Sequence, residues 1–200
     1  MFVTFEGIDG CGKSTQAQLL ADELRGRGRE VVLTREPGGT ALGERVRELL
    51  LHGEEISSWA EAALFAAARA ELVSTVIRPA LERGATVICD RYLDSSLAYQ
   101  GIARGLGVDH VLDLNGPAIQ GVLPERTFLL LLDPEEARQR MGGERDRMER
   151  SGDLFRARVD EAYRELAAIF PQRIVTVDAS LPVELVARLV RGALEDPVPG

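Results

Sequence analysis

The sequence predicts an α/β protein with a doubly wound, five-stranded parallel sheet and flanking helices. Five short apolar runs are typical of buried parallel strands, which are covered on both faces and therefore do not alternate with polar residues. Helical patterns separate the runs, and this alternation favours a parallel sheet with its ligand site at the carboxyl ends of the strands. The five runs cover Phe2–Glu6, 30–34, 86–89, 127–132 and 174–177.

The helical patterns between the strands have identifiable starts. Leucines recur at helical spacing over 13–25, and a second helical pattern covers 40–51. Ser58 and Glu61 have the spacing of a capping box, which predicts that a long helix begins at Ser58. Pro79 interrupts this long pattern, because proline lacks the N–H group that an interior helical position donates.

Length, composition and charge limit the class of protein. A chain of 200 residues with 45% hydrophobic content suits one compact domain, so we expect residues 1–200 to form a single unit. The net charge of −8 argues against nucleic acid polymers and anionic membranes as partners. No signal-peptide pattern or 18-residue apolar stretch occurs. The two cysteines, Cys11 and Cys89, are too few for a disulfide scaffold, and we expect a cytoplasmic protein.

A glycine-rich segment follows the first predicted strand and leads into the first predicted helix. Residues 7–14, GIDGCGKS, match the pattern of two glycines five apart followed by lysine and serine. Glycines let backbone N–H groups surround phosphate oxygens, and the helix N-terminus adds its positive dipole end. Lys13, the only lysine in the chain, would reach the β- and γ-phosphates. A plain glycine-rich turn is the alternative, which the strand and helix context disfavours.

Two side chains are candidates for holding Mg²⁺. Ser14 carries the hydroxyl group that P-loop proteins place on this ion. Asp90 ends the third predicted strand, where such proteins carry an acidic residue for the magnesium shell. An aspartate at a strand end is also a common turn former, but the loop favours the magnesium role.

Four sequence blocks resemble those of thymidylate kinase. They occur in family order over most of the chain and are more selective together than the phosphate loop alone. The blocks are FEGIDGCGKSTQ at 5–16, TREPGGT at 34–40, DRYLDSSLAYQG at 90–101 and DRMER at 146–150. The resemblance implies a P-loop nucleotide kinase fold and ATP-dependent phosphorylation of dTMP to dTDP. It further implies direct phosphoryl transfer with Mg²⁺ in deoxynucleotide biosynthesis, by a cytoplasmic homodimer.

The resemblance also assigns the phosphate-binding residues. Asp9 is implied to lie near the sugar and phosphate of dTMP, with Arg47 and Arg91 on the dTMP phosphate. Arginine suits this role because its fork binds phosphate oxygens bidentately. Taken alone, Arg91 would be interpreted as a surface ion-pair partner and not as a ligand contact. The ATP-binding residues implied by the loop are Gly7, Ile8, Asp9, Gly10, Cys11, Gly12, Lys13, Ser14 and Thr15.

Recognition of the nucleoside is implied for four further residues. Phe65 would stack on thymine, Arg69 on the same helix face would reach a base carbonyl, and Gln100 would hydrogen-bond the base edge. Tyr99 is similar in position to the aromatic residue that crowds the 2′ position and disfavours ribonucleotides. Without the resemblance, Phe65 and Tyr99 would be interpreted as core residues and Arg69 as an ion-pair partner.

An arginine-rich segment at about 138–150 resembles the lid that closes over ATP in this family. The variable positions of the phosphate loop contain no arginine, so the lid is expected to supply the cation that meets the transferring phosphoryl group. Arg140 and Arg145 are the candidates, and together with Lys13, Asp9 and Arg91 they form the predicted catalytic set. The alternative is a solvated helix, because acidic residues are interleaved with the arginines.

Three other functions are compatible with parts of the sequence. A kinase for another nucleoside monophosphate would share the loop and the lid but differ at Phe65, Arg69, Tyr99 and Gln100. A GTP-dependent switch would need an Asn-Lys-x-Asp motif, which cannot exist when Lys13 is the only lysine. A structural protein with an incidental loop would bind no ATP.

Overall fold

The computed structural model describes residues 1–141, 147–148 and 152–195. Its sheet has five strands in the order β2-β3-β1-β4-β5, and every neighbouring pair is parallel. The strands are β1 (Phe2–Glu6), β2 (Val31–Arg35), β3 (Thr86–Asp90), β4 (Arg126–Leu131) and β5 (Ile174–Asp178). The predicted α/β class and the five predicted strands are confirmed, with boundaries that differ by at most one residue.

Helices cover both faces of this sheet, as the alternating pattern predicted. The α-helices are α1 (Lys13–Gly26), α2 (Ala41–His52), α3 (Ser58–Leu72), α4 (Arg78–Glu82), α5 (Leu93–Ser96), α6 (Val108–Ile119), α7 (Pro134–Arg140), α8 (Asp153–Ile169) and α9 (Val183–Glu195). Two π-helical segments, Val73–Ile77 and Leu97–Ala103, extend α3 and α5. None of the helices in the described ranges is long and apolar enough to cross a membrane.

Helix α3 begins at Ser58 as predicted, but its N-terminal capping differs from the prediction. The N-cap is Ser57, whose hydroxyl accepts a hydrogen bond from the N–H of Ala60 at 3.3 Å, and the predicted capping box of Ser58 and Glu61 does not form. The Glu61 side chain is buried and binds other side chains instead. The long helical run is interrupted next to Pro79, as predicted. The π-helical segment Val73–Ile77 separates α3 from α4, and Pro79 lies in the first turn of α4, where no N–H donor is needed.

The strand order places the functional elements at one edge of the sheet. β1 lies in the centre between β3 and β4, and Phe5 is in register with Asp90. The segments that follow β1 and β3 therefore begin next to each other, at the carboxyl ends of the two strands. Ligands of doubly wound sheets bind in this crevice.

Candidate active site

The loop between β1 and α1 adopts a backbone that only glycine tolerates well. Gly7, Gly10 and Gly12 have φ angles of +133°, +86° and +98°. A Cβ atom on Gly10 would lie 2.3 Å from the carbonyl oxygen of Ala137, so the loop also packs too closely for a side chain. The glycines predicted to form a phosphate cradle thus occupy positions that require them.

The Lys13 side chain lies back over this loop. Its Nζ atom donates a hydrogen bond to the carbonyl oxygen of Ile8 at 2.9 Å and lies 3.9 Å from Oδ1 of Asp9. The side chain is 6% exposed, so the ammonium group is held inside the crevice and does not extend into solvent. This position suits a cation that contacts phosphate oxygens.

Ser14 and Asp90 meet at the mouth of the crevice. The Ser14 hydroxyl donates a hydrogen bond to Oδ2 of Asp90, although the two residues are 76 positions apart. Among the described residues, no cluster of three or more His, Cys, Asp or Glu could hold a metal ion. Mg²⁺ commonly takes only one or two protein oxygens and completes its shell with phosphates and water, so this pair fits the predicted role.

A cavity of about 790 Å³ opens above the loop. Residues 9–15 line it, whereas Gly7 and Ile8 lie beneath, with their carbonyl groups bonded to Arg91 and Lys13. Arg140 lines the same cavity; its guanidinium donates to the carbonyl oxygen of Ala179 at 3.0 Å and to Glu136 at 2.6 Å. The other lid candidate, Arg145, lies outside the described residues.

The far wall of this cavity was missed by the sequence analysis. Residues 179–183, which follow β5, line the cavity together with Val186. Gln16 fixes this segment to α1 by donating a hydrogen bond to the carbonyl oxygen of Val183 at 3.0 Å. This segment follows the carboxyl end of β5, and ligands of doubly wound sheets bind at the carboxyl ends of the strands. The same argument that identified Asp90 after the third strand could therefore have identified residues 179–183.

Arg91 joins the loop to the second half of the site. Its backbone has φ of +70°, an uncommon conformation for a residue with a side chain. The guanidinium donates to Oδ1 of Asp9 at 2.5 Å, to the carbonyl oxygen of Gly7 at 3.0 Å, and to the hydroxyl groups of Ser95 and Tyr163. Arg91 is therefore fixed in direction before any ligand arrives.

Asp9 has a strongly perturbed pKa. Burial of the Asp9 carboxyl group raises its pKa, but the nearby charges of Arg91 and Lys13 and the hydrogen bond from Arg91 lower the pKa by more. The resulting pKa lies well below the ordinary value. The carboxylate is consequently ionised at neutral pH. It is thus an acceptor placed between two cations.

A smaller cavity of about 80 Å³ lies on the other side of Asp9 and Arg91. It is lined by six of the seven residues predicted to bind dTMP, namely Asp9, Arg47, Phe65, Arg91, Tyr99 and Gln100. Glu36, Pro37, Leu51, Ser95 and Met148 complete its lining. The structure therefore brings together predicted dTMP-binding residues that are up to 91 positions apart in the sequence.

Arg69 is the predicted dTMP residue that does not line this cavity. Its side chain is only 1% exposed, and it donates to Glu36 at 2.6 Å, to Ser96 and Asn115, and to the carbonyl oxygen of Tyr92. The predicted contact with a base carbonyl is thus not supported by its position. A buried guanidinium needs partners for its donors, and these protein groups supply them.

Tyr99 closes one side of the smaller cavity. Its hydroxyl group donates to Oδ2 of Asp9 at 3.4 Å, and the Arg91 guanidinium lies 5.3 Å from the centre of its ring. The same ring packs edge-to-face against Phe155 and Tyr163. Tyr99 thus packs against neighbouring rings and also lines the smaller cavity.

Arg147 of the predicted lid has an unexpected position. It is 2% exposed and does not line the larger cavity. Its Nε donates to the carbonyl oxygen of Leu50 at 2.8 Å and its Nη2 to Glu61 at 2.7 Å. Of the predicted lid at 138–150, Arg140 thus lines the larger cavity and Met148 the smaller one. Residues 142–146 and 149–150 lie outside the described ranges.

The sheet, the glycine loop with its lysine and the paired cavities define the chain as a P-loop phosphotransferase. A family model described as thymidylate kinase matches residues 5–190. The chain belongs to the thymidylate kinase family. Family membership confirms the predicted enzyme class and the predicted reaction, ATP-dependent phosphorylation of dTMP to dTDP.

Individual relatives agree with this assignment over nearly the whole chain. A thymidylate kinase from Leifsonia xyli subsp. xyli is 54% identical over 199 residues, covering 98% of this chain and 94% of the relative. A thymidylate kinase from Bifidobacterium longum is 48% identical over 201 residues, with 98% of both chains covered. The crystal structure of thymidylate kinase from Ehrlichia chaffeensis matches with a TM-score of 0.80 at 37% identity, again over 98% of both chains.

Proposed function

We propose that the chain transfers the γ-phosphoryl group of ATP, bound over the glycine loop, directly to the phosphate of dTMP in the smaller cavity. The observation that carries this proposal is that the two cavities meet. Asp9, Glu36, Arg47 and Arg91 line both of them. A donor in one cavity and an acceptor in the other would therefore bring their phosphates together at these residues.

The acceptor side needs positioning more than acid–base chemistry. A phosphate oxygen of dTMP is already anionic at neutral pH, so the nucleophile needs no general base. Arg91 and Arg47 offset the repulsion between the two nucleotides, while Asp9 fixes the direction of Arg91. Phe65 stacks on the base, Gln100 binds its edge, and Tyr99 crowds the 2′ position.

The donor side stabilises charge on the transferring group. Lys13 and the loop N–H groups bind the β- and γ-phosphates, and Arg140 reaches the same cavity. Ser14 and Asp90 would hold Mg²⁺, which supplies charge neutralisation between the β- and γ-phosphates when bound. Arg145 remains the second candidate for the arginine that contacts the transferring group.

The proposed substrate is tested by a panel of nucleoside monophosphates. The enzyme is incubated with ATP, Mg²⁺ and dTMP, dUMP, UMP, CMP or AMP, and diphosphate formation is measured. We expect the highest kcat/KM with dTMP and lower values with the ribonucleotides. A clear preference for any other monophosphate would contradict the proposed acceptor.

We also propose that the enzyme acts as a cytoplasmic homodimer. Its substrates are intracellular nucleotides, and half of the Trp59 side chain is exposed at the start of α3, with Leu42 and Leu49 exposed on α2. Exposed apolar residues on neighbouring helices are typical of protein interfaces. Sedimentation equilibrium tests the oligomeric state, and a purely monomeric enzyme at micromolar concentration would contradict it.

A further inference from the structure

Glu61 is a buried carboxylate with no role in the predicted site. It is 1% exposed and lies on α3, one helical turn before Phe65. Its three side-chain partners come from distant parts of the chain: Gln100, Arg104 and Arg147. These donors hold the Glu61 carboxylate in a fixed position, because a buried carboxylate without hydrogen-bond donors would be energetically costly.

The contact with Gln100 fixes the orientation of an amide. Nε2 of Gln100 donates to Oε1 of Glu61 at 2.9 Å. Arg104 and Arg147 contact the same carboxylate at 3.4 Å and 2.7 Å. A carboxylate in this setting only accepts hydrogen bonds, so the NH₂ group of Gln100 must face Glu61 and the amide oxygen must point the other way.

The free end of this amide is available to a ligand. Gln100 lines the smaller cavity, and its amide oxygen accepts no hydrogen bond from the residues that the structure describes. The cavity therefore offers an acceptor at this position. If the amide were reversed, the cavity would offer a donor.

Pyrimidine bases differ at the atom that such a group would meet. Thymine and uracil carry an N3–H donor, whereas N3 of cytosine is an acceptor. An amide oxygen pairs with N3–H but leaves two acceptors opposed when cytosine is bound, and a buried unpaired acceptor is unfavourable. A site built to bind a donor rejects an analogue that lacks it.

We propose that Glu61 is a positioning residue that holds the Gln100 amide with its oxygen toward the acceptor base, and so selects bases with an N3–H donor over cytosine. The inference rests on the proposed function, because it places a pyrimidine nucleotide in the smaller cavity. Glu61 itself does not line that cavity and acts through Gln100.

The substitution Glu61→Gln tests this role. The new amide can donate as well as accept, so Gln100 is free to turn its NH₂ group toward the base. Using dUMP and dCMP as a matched pair removes any effect of the 5-methyl group. We expect the wild-type enzyme to prefer dUMP, and the ratio of kcat/KM for dUMP over dCMP to fall at least about tenfold in the variant.

The control variant is Arg104→Gln. It removes one guanidinium contact of Glu61 but leaves an acceptor-only carboxylate facing Gln100. We expect its dUMP-to-dCMP ratio to stay within about threefold of wild type, even if turnover falls. A structural role for Glu61 alone would lower activity toward both nucleotides in both variants without changing the ratio.

A double substitution, Glu61→Gln with Gln100→Glu, reverses the pair and guards against misfolding of the single variant. The amide at position 61 would donate to the carboxylate at position 100, which again presents an oxygen to the base, so we expect the dUMP preference to return. An unchanged ratio in Glu61→Gln, or a folded double variant without dUMP preference, overturns the inference. Failure of the wild-type enzyme to phosphorylate dTMP would instead overturn the proposed function.

Discussion

At the residue scale, Lys13 is the side chain whose role is easiest to isolate. It is the only lysine in the chain, and its ammonium group is held over the loop by the carbonyl oxygen of Ile8. We predict that Lys13→Ala lowers kcat on the order of 10²–10³-fold, because one preorganised cation is lost from the transferring phosphates. Steady-state kinetics with saturating ATP and dTMP measures the effect.

A matched control separates this effect from a change in folding. Gln18 lies on the exposed side of the same helix, where it donates to Asp22. Gln18→Ala should retain kcat within about twofold, and circular dichroism should show both variants folded. Near-normal turnover of a folded Lys13→Ala enzyme would exclude the proposed phosphate contact.

Some of the site could be predicted from single residues, and some could not. Lys13, Ser14 and Asp90 belong to patterns that specify their chemistry locally, and the structure places them together. Glu61 and Arg69 are different, because the partners of their side chains lie 23 to 86 positions away. Nothing in the local sequence distinguishes a charged side chain in a buried ion pair, such as Glu61 or Arg69, from a solvated charge on a helix.

At the element scale, the glycine loop combines two separate constraints. Gly10 has φ of +86°, and a Cβ atom there would also meet the carbonyl oxygen of Ala137 on α7. Gly28 has a similar φ of +76°, but a Cβ atom there would have no neighbour within 4 Å. The pair therefore separates backbone strain from close packing.

We predict different costs for alanine at these two positions. Gly28→Ala should lower the free energy of unfolding by about 1–2 kcal/mol, the cost of a left-handed backbone with a side chain. Gly10→Ala should lower it by about 1–3 kcal/mol more, because the loop must also move away from α7. Urea denaturation without nucleotide measures both. Equal losses would mean that the contact with Ala137 relaxes freely.

The sequence predicts an element well where a local pattern specifies it, and poorly where contacts with other parts of the fold determine its structure. Each of the five strands is a continuous apolar run, and all five were found. The interruption of the long helix at Pro79 was predicted, but its form was not, because the π-helical segment Val73–Ile77 has no sequence signal of its own. The capping box at Ser58 does not form for a similar reason, since the buried Glu61 side chain binds three residues from two other parts of the fold.

At the scale of the whole molecule, the centre of the sheet carries a carboxyl group whose ionisation affects stability. Glu6 ends β1, is completely buried, and accepts hydrogen bonds from the N–H of Tyr92 and the hydroxyl groups of Ser95 and Tyr163. Burial, with a smaller effect of Asp94, raises its pKa from an ordinary 4.5 to about 7, against the opposing charge of Arg91.

The sign of the resulting pH dependence follows from this raised pKa. Below pH 4.5 the carboxyl group is protonated in the folded and unfolded states, and its burial carries no ionisation cost. Between pH 4.5 and 7 the unfolded state loses its proton first, so stability falls as the pH rises. Above pH 7 the folded state is ionised too, and the full cost is about 3 kcal/mol.

The substitution Glu6→Gln keeps the shape of the side chain and removes its ionisation. We compare the free energy of unfolding of the variant with that of the wild type at each pH. As the pH rises from 5 to 8, this difference should change in favour of the variant by up to about 3 kcal/mol, whatever its value at pH 5. Urea denaturation across this range measures the shift. The exposed-site control Glu48→Gln should follow the wild-type curve, and a Glu6→Gln difference that is constant with pH would show that Glu6 does not titrate in this window. Ser95 and Tyr163 bind both Glu6 and Arg91, so the carboxyl group that titrates shares two hydrogen-bond partners with the guanidinium proposed to bind the acceptor phosphate.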